Sequence, residues 1–321
     1  MNVISVIKEC VNAMSAAGKV CYRLLYAIPV MKYKTHICPA INEFTIDESF
    51  QYSSDSFFPA IMRKDPEMAR KIYQRVVSFD NQGIPLLQRY EQKYWPVTIA
   101  QYGLLNYNFY LTYKDNKYKQ SCLNVCEWLL NNISASGMWE YKVEYRCLVV
   151  DEDMHPPFGS AMVQGEAIAM LVRGYLLTKK EKYLECAEKA LRPYETPVED
   201  GGVLRNFMGM PFYEEYPTKT PSLVLNGFMF SLFGLYDLST IRGYSSERAK
   251  QLFLAGVQTL EKVLPMYGGG YCSTYDLAYI SAAPRKRHKD PMYHPIHVNQ
   301  LIAMNSIYPS RVFEYYINEW K

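Results

Sequence analysis

The sequence predicts a mainly α fold: an incomplete α/α toroid built from helical hairpins, with a few short strands near its cleft. Three observations predict it. Apolar residues recur at helical spacing in about ten segments. Turn-forming loops separate these segments, and few stretches alternate as strands do. No composition shift marks a second folded domain, so the loops gather at one end of a single body and form a cleft.

The totals agree. The chain has 321 residues, 49% hydrophobic and 21% charged, enough to bury a substantial core. A net charge of +3 is too small to argue for nucleic acid. Aromatics reach 15%, mostly tyrosine, whose apolar face and polar tip suit carbohydrate clefts as well as cores. The eight cysteines form no Cys-x-x-Cys pair and read as reduced thiols. No apolar core of a secretory signal and no membrane-length apolar run is visible, which makes cytoplasm the expected location.

Residues 1–64 form an N-terminal helical and irregular segment in this reading, and residues 65–321 form the toroid. Val3, Val6, Ile7, Val11 and Met14 recur at helical spacing among basic residues. Residues 1–34 therefore either pack on the body or lie peripherally on an anionic membrane surface. Asp65-Pro66-Glu67 is a helix start. Helices follow from Pro96 to about Leu111 and over residues 118–132. Residues 140–150 alternate through Val143, Tyr145, Cys147 and Val149. Further helices are expected over residues 160–178, 181–194, 221–239, 245–264, 294–307 and 312–320.

One loop stands out. Phe212-Tyr213-Glu214-Glu215-Tyr216-Pro217 sets two carboxylates between phenols, and the proline pushes Tyr216 toward extended backbone. The loop feeds the buried helix that begins at Leu225-Asn226-Gly227. His294 and His297 have a metal-like spacing, but no further ligand set accompanies them, so they read as structural or substrate hydrogen-bonding groups. Arg285-Lys286-Arg287-His288-Lys289 is either a solvated loop or a landing strip for an anionic glycan.

Several ordered motifs resemble the C-terminal helical domain of glucuronyl C5-epimerases. They are Pro96-Val97-Thr98-Ile99-Ala100-Gln101-Tyr102-Gly103, Ser160-Ala161-Met162-Val163-Gln164-Gly165, Glu214-Glu215-Tyr216-Pro217-Thr218, Leu225-Asn226-Gly227-Phe228-Met229, Tyr275-Asp276-Leu277, and Tyr293-His294 with His297-Val298-Asn299-Gln300-Leu301. The resemblance covers roughly residues 79–320. It implies an α/α toroid that epimerises D-glucuronosyl to L-iduronosyl residues in heparosan or heparan precursors. It implies Tyr216, Tyr275 and Tyr293 as catalytic tyrosines and Glu215 as their acidic partner. Glu214, Gln101, Gln164, Asn226, His294 and Asn299 are the implied substrate-binding residues. Two features depart from the family. Its β-rich domain is absent, and the arginine that follows Tyr-Asp-Leu is here Ala278. Arg205, Arg285 and Arg287 are the candidates to replace that arginine; otherwise the substrate differs.

The chemistry needs a base on one face of the sugar, an acid on the other and donors for the carboxylate oxygens. It needs no cofactor and no metal. Either a phenol with a lowered pKa or Glu215 serves as the base; the sequence leaves both open. The expected partner is a uronic-acid polysaccharide or lipid-linked glycan, with a homodimer left open. Two other readings stand beside the epimerase: a uronate polysaccharide lyase, which starts with the same deprotonation, and an inactive glycan-binding protein.

Overall fold

A computed structural model describes residues 46–59, 77–88, 91, 93–241, 246–268, 272–281, 287–290 and 293–321. The expected helices over residues 1–34 and after Asp65, and Arg285, lie outside the described residues. The chain divides into two units, Met1–Ile37 and Cys38–Lys321, and every described residue belongs to the second.

Four long helices form an inner row: α1 (Pro96–Tyr113), α3 (Ala161–Thr178), α6 (Leu225–Ser239) and α9 (His294–Ile307). Each packs on the next, and each is backed by an outer helix: α2 (Asn116–Asn132), α4 (Lys182–Lys189), α7 (Glu247–Val263) and α10 (Arg311–Trp320). The result is the incomplete α/α toroid of helical hairpins that the helix pattern predicts. Every residue from Ala161 to Gly174 is buried, as is nearly every residue from Leu225 to Leu238. The outer helices bury one stripe only, for example Phe253, Val257, Leu260 and Val263 on α7.

Local chemistry starts and stops these helices. The side chains of Asp115, Ser246 and Ser310 accept hydrogen bonds from the first-turn N–H groups of Lys117, Ala249 and Val312. Each such cap contributes about 1 kcal/mol. Pro96 opens α1, where its missing N–H costs nothing. Pro193 interrupts the single helix expected over 181–194, leaving α4 and the short α5 (Arg192–Glu195).

The inner helices α3 and α6 cross in backbone contact. A Cβ on Gly234 would lie 2.1 Å from the Gly165 carbonyl oxygen, and one on Gly165 would lie 2.4 Å from Ser231 Cα. Only glycine at both positions allows this approach.

Residues 46–59, assigned to the N-terminal segment from sequence, are fastened across the inner row. Tyr52 donates from its hydroxyl to the Asp237 carboxylate, which also pairs with the fully buried Arg173. Asn108 Oδ1 accepts from Phe58 N at 3.0 Å, and Asn299 Oδ1 from Asp47 N at 3.1 Å.

The strands are short. β1 (Val77–Phe79), β2 (Pro85–Leu87) and β3 (Lys93–Tyr94) make an antiparallel sheet. β4 (Tyr145–Cys147) pairs with β5 (Glu152–Met154), and β6 (Leu204–Phe207) with β7 (Met210–Tyr213). Both hairpins lie on the loops that precede inner helices. Among the described residues no helix is long and apolar enough to cross a membrane.

Candidate active site

The inner helices begin at one place, and Glu215, Tyr275 and Tyr293 are there. The α3 amide of Ala161 donates to the Glu214 carbonyl at 2.9 Å, and the α6 amide of Leu225 to the Tyr275 carbonyl at 3.0 Å. Trp95, just before α1, meets Tyr141 at 4.6 Å between ring centroids. Tyr293, just before α9, meets Tyr275 at 4.5 Å. Four helix N-termini, each with partial positive charge, thus surround one interior.

The loop after β7 sorts its two glutamates. Glu214 turns inward and is fully buried. Its carboxylate accepts from Ser222 N at 3.1 Å, Ser222 Oγ at 2.7 Å and Leu223 N at 2.9 Å, with Arg205 Nε at 3.5 Å. Leu223 is held at φ +51°, an uncommon left-handed conformation for leucine. Tyr267 fixes it further by donating to its carbonyl at 2.7 Å. Glu214 therefore closes the 214–223 loop.

Glu215 faces the first turn of α6. A Cβ on Gly227 would lie 2.3 Å from Glu215 Oε2, so only glycine leaves space for this carboxyl. Burial raises the Glu215 pKa to about 7; the Tyr216 hydroxyl opposes the rise, Glu214 adds to it, and the Tyr275 hydroxyl opposes it. Oε2 is buried without a hydrogen-bond partner.

The three expected tyrosines surround Glu215. Burial first, then the Glu215 charge, pushes Tyr216, Tyr275 and Tyr293 above the ordinary phenol range. These shifts run opposite to the lowering that a phenol acting as base needs. Here the phenols stay protonated and Glu215 titrates near neutrality. Tyr275 is held by its amide, which donates to the His288 carbonyl at 2.7 Å. The neighbouring Asp276 accepts from Ala278 N at 2.9 Å and lies 3.0 Å from His288 Nδ1.

Most of the other expected residues have structural partners. Gln164 is fully buried: it accepts from Trp139 N and donates to the carbonyls of Gly137 and Ala190. Arg205 donates to Glu199 and to the Thr218 carbonyl, beside Glu214, so its guanidinium holds the loop together. His294 accepts from Ser273 N at 3.0 Å, and its Nε2 lies 2.8 Å from the Trp320 carbonyl. Asn299 binds the 46–59 segment. Arg287 donates to the Gly268 carbonyl and lies over the Tyr279 ring. Gln101 donates to Glu166 at 3.0 Å. Asn226, next to Gly227, has a buried Oδ1 without a partner. Ala278, which opens the short α8 (Ala278–Ser281), is packed among Cys147, Val150 and Met154. Among the described residues no three His, Cys, Asp or Glu gather as metal ligands.

Sequence reasoning missed three residues. Tyr141 feels Glu215, Tyr145 and Glu166, after burial, and reaches the Val97 backbone at the start of α1. Tyr145 stacks on Tyr216 at 5.8 Å and 10°. Glu166 is fully buried, held by Gln101, with Oε2 unpartnered; burial pushes its pKa well up, the Gln101 bond opposes this, and Glu215 adds to it. A signal for Glu166 existed: it is the lone acid inside the apolar run from Ala161 to Leu171.

Residues 132–321 match the family described as D-glucuronyl C5-epimerase C-terminus. The chain belongs to this family. Similarity extends beyond the family match. A D-glucuronyl C5-epimerase of Caenorhabditis elegans is 34% identical over 237 residues, covering 70% of this chain and 38% of that protein. The chain thus spans well under half the length of this relative. An uncharacterized protein of Methanocaldococcus jannaschii is 26% identical over 188 residues, 57% of each chain. A solved chain described as UGL with dGlcA-Glc-Rha-Glc has a TM-score of 0.47 at 12% identity, covering 69% of this chain and 59% of that one. The C5-epimerase family match includes Glu215, Tyr216, Tyr275 and Tyr293.

Proposed function

We propose that this chain epimerises D-glucuronosyl residues to L-iduronosyl residues at C5 within a uronic-acid polysaccharide. One observation carries the reading: a buried carboxyl with a pKa of about 7, Glu215, lies among phenols held protonated. Family membership supports it.

Glu215 as carboxylate takes the C5 hydrogen as a proton. The electron pair of the broken C–H bond moves into the uronate carboxylate and gives an enolate-like dianion. A neutral tyrosine on the opposite face then returns a proton to C5 and inverts it. Tyr275 and Tyr293, in ring contact, are the acids. A base tuned to neutral pH is the efficient one, and each well-positioned proton donor contributes about 10²- to 10⁴-fold in rate. The dianion's charge falls where helices α1, α3, α6 and α9 begin, and their N-termini favour it. Hydrogen leaves and returns as a proton, so no redox cofactor takes part.

Deuterium exchange tests the reading. Purified protein is incubated with heparosan, and with N-deacetylated, N-sulfated heparosan, in deuterated water, and the uronate signals are followed by NMR. Deuterium at C5 together with iduronate signals is the expected result. Binding without exchange would reject catalysis at this site.

A further inference from the structure

The β4–β5 hairpin is joined to the candidate site at three points. Glu152 accepts from the amides of Lys219 at 3.0 Å and Thr220 at 3.1 Å, just beyond Tyr216-Pro217. Cys147, Val150 and Met154 pack on Ala278, three residues after Tyr275. Tyr145 lies flat on Tyr216 and edge-on to Trp95 at 5.9 Å.

The strand pattern explains how Tyr145 gets there. Successive residues of β4 face opposite sides. Arg146 points outward and pairs with Asp151 and Asp153. Tyr145 and Cys147 point inward. Ala278 has only a methyl group under the hairpin, and that small size lets the hairpin come down. The Tyr145 phenol acts electrostatically on Tyr141, Tyr216, Tyr275 and Tyr293, as Glu215 does. Tyr145 and Tyr216 are both only half-buried, so the stacked pair keeps exposed surface.

We infer that Tyr145 is a substrate-contacting residue of this site. Its hydroxyl binds a sugar oxygen, while the Tyr145–Tyr216 pair forms an aromatic wall for the apolar face of a pyranose ring. The hairpin thereby helps to set which uronate glycan fits. This rests on the epimerase reading.

Tyr145→Phe keeps the ring on Tyr216 and removes only the hydroxyl. Its KM for a heparosan oligosaccharide is expected to rise about three- to tenfold, as one lost hydrogen bond gives, with kcat and the thermal midpoint little changed. Tyr145→Ala also loses the wall, and a rise above about tenfold is expected. If Tyr145→Phe, which preserves the packing, has the wild-type KM, the inference is overturned. The epimerase reading is checked separately on the wild type. Should the wild type bind the oligosaccharide in calorimetry but exchange no C5 hydrogen, that reading falls. The same Tyr145 variants then decide the inference by Kd, with the same fold-weakening expected and an unchanged Kd overturning it.

Discussion

Gly227 and Glu215 are in contact: the first turn of α6 leaves for the carboxyl the space that a methyl group would fill. Gly227→Ala would place a Cβ 2.3 Å from Oε2 and 2.6 Å from the Glu215 Cβ. Glu215 must then leave its position. Such overpacking costs about 1–3 kcal/mol in stability. The loss of C5–H exchange should be larger, at least about 100-fold, because a displaced base loses its geometry. Exchange rate and thermal midpoint, measured on one preparation, separate the two effects.

The ionisation of Glu215 sets a pH dependence in two observables. Its folded pKa is about 7 against an ordinary 4.5. In the proposed reaction the carboxylate is the base, so exchange should rise with pH through about 7 and then level. Stability moves the other way. Between 4.5 and about 7 the folded chain keeps a proton that the unfolded chain has released, so stability is lost as pH rises across that window. The loss is on the order of 3 kcal/mol. Glu215→Gln should therefore abolish exchange yet unfold at higher denaturant than the wild type above neutrality, and match it near about pH 4. Urea titrations at the two ends of the window check the sign.

Tyr275 and Tyr293 should differ in one respect. Phenylalanine at either position keeps the ring packing and removes a proton donor, for a rate loss of about 10²- to 10⁴-fold. The Tyr275 hydroxyl also favours ionised Glu215. Tyr275→Phe should shift the acid limb of the residual exchange upward, whereas Tyr293→Phe should leave it in place. A pH–rate profile of the two variants distinguishes them.

Arg205 pairs with Glu199, the Thr218 carbonyl and Glu214, so it is expected to serve the loop and not the substrate. Replacing it by Met strands Glu214 in the interior without its cation, a loss of about 3 kcal/mol or more. KM for the uronate glycan should stay unchanged at a temperature where the variant is folded. A raised KM with an unchanged thermal midpoint would return Arg205 to the role that residue type alone suggested.

Glu166 should tolerate amidation. Burial pushes it toward the neutral form, and glutamine preserves both its shape and an acceptor for Gln101. Glu166→Gln is expected to keep exchange within about threefold at neutral pH and to raise stability, since no buried acid then has to resist ionisation. Calorimetry and the exchange assay together read this out.

Much of the architecture was legible in the sequence, for local reasons. The α7 stripe and the caps at Asp115, Ser246 and Ser310 are short-range signals. Helices α3 and α6 have almost no polar face, and were read from length and apolarity. The strands β1 to β3 span two or three residues each, too few for a pattern. Glu215 and the three tyrosines are visible in the chain as residue types and as motifs, and the fold brings them together. The partners that Gln164, Arg205 and His294 take were not legible, because polarity does not reveal which backbone carbonyl or carboxylate the folded chain will present. Tyr145 looked like one more alternating position; only the docking of the hairpin turns it toward Tyr216.

The Glu152 carboxylate, bound to the amides of Lys219 and Thr220, has a consequence for anyone moving pieces between relatives. Residues 145–154 and 214–220 form one unit for grafting, joined by these bonds. A foreign hairpin arrives without its anchor, and a foreign loop arrives without the tyrosine that covers it. Chimeras that exchange both segments, together with residue 278 beneath them, are the ones in which substrate preference can travel.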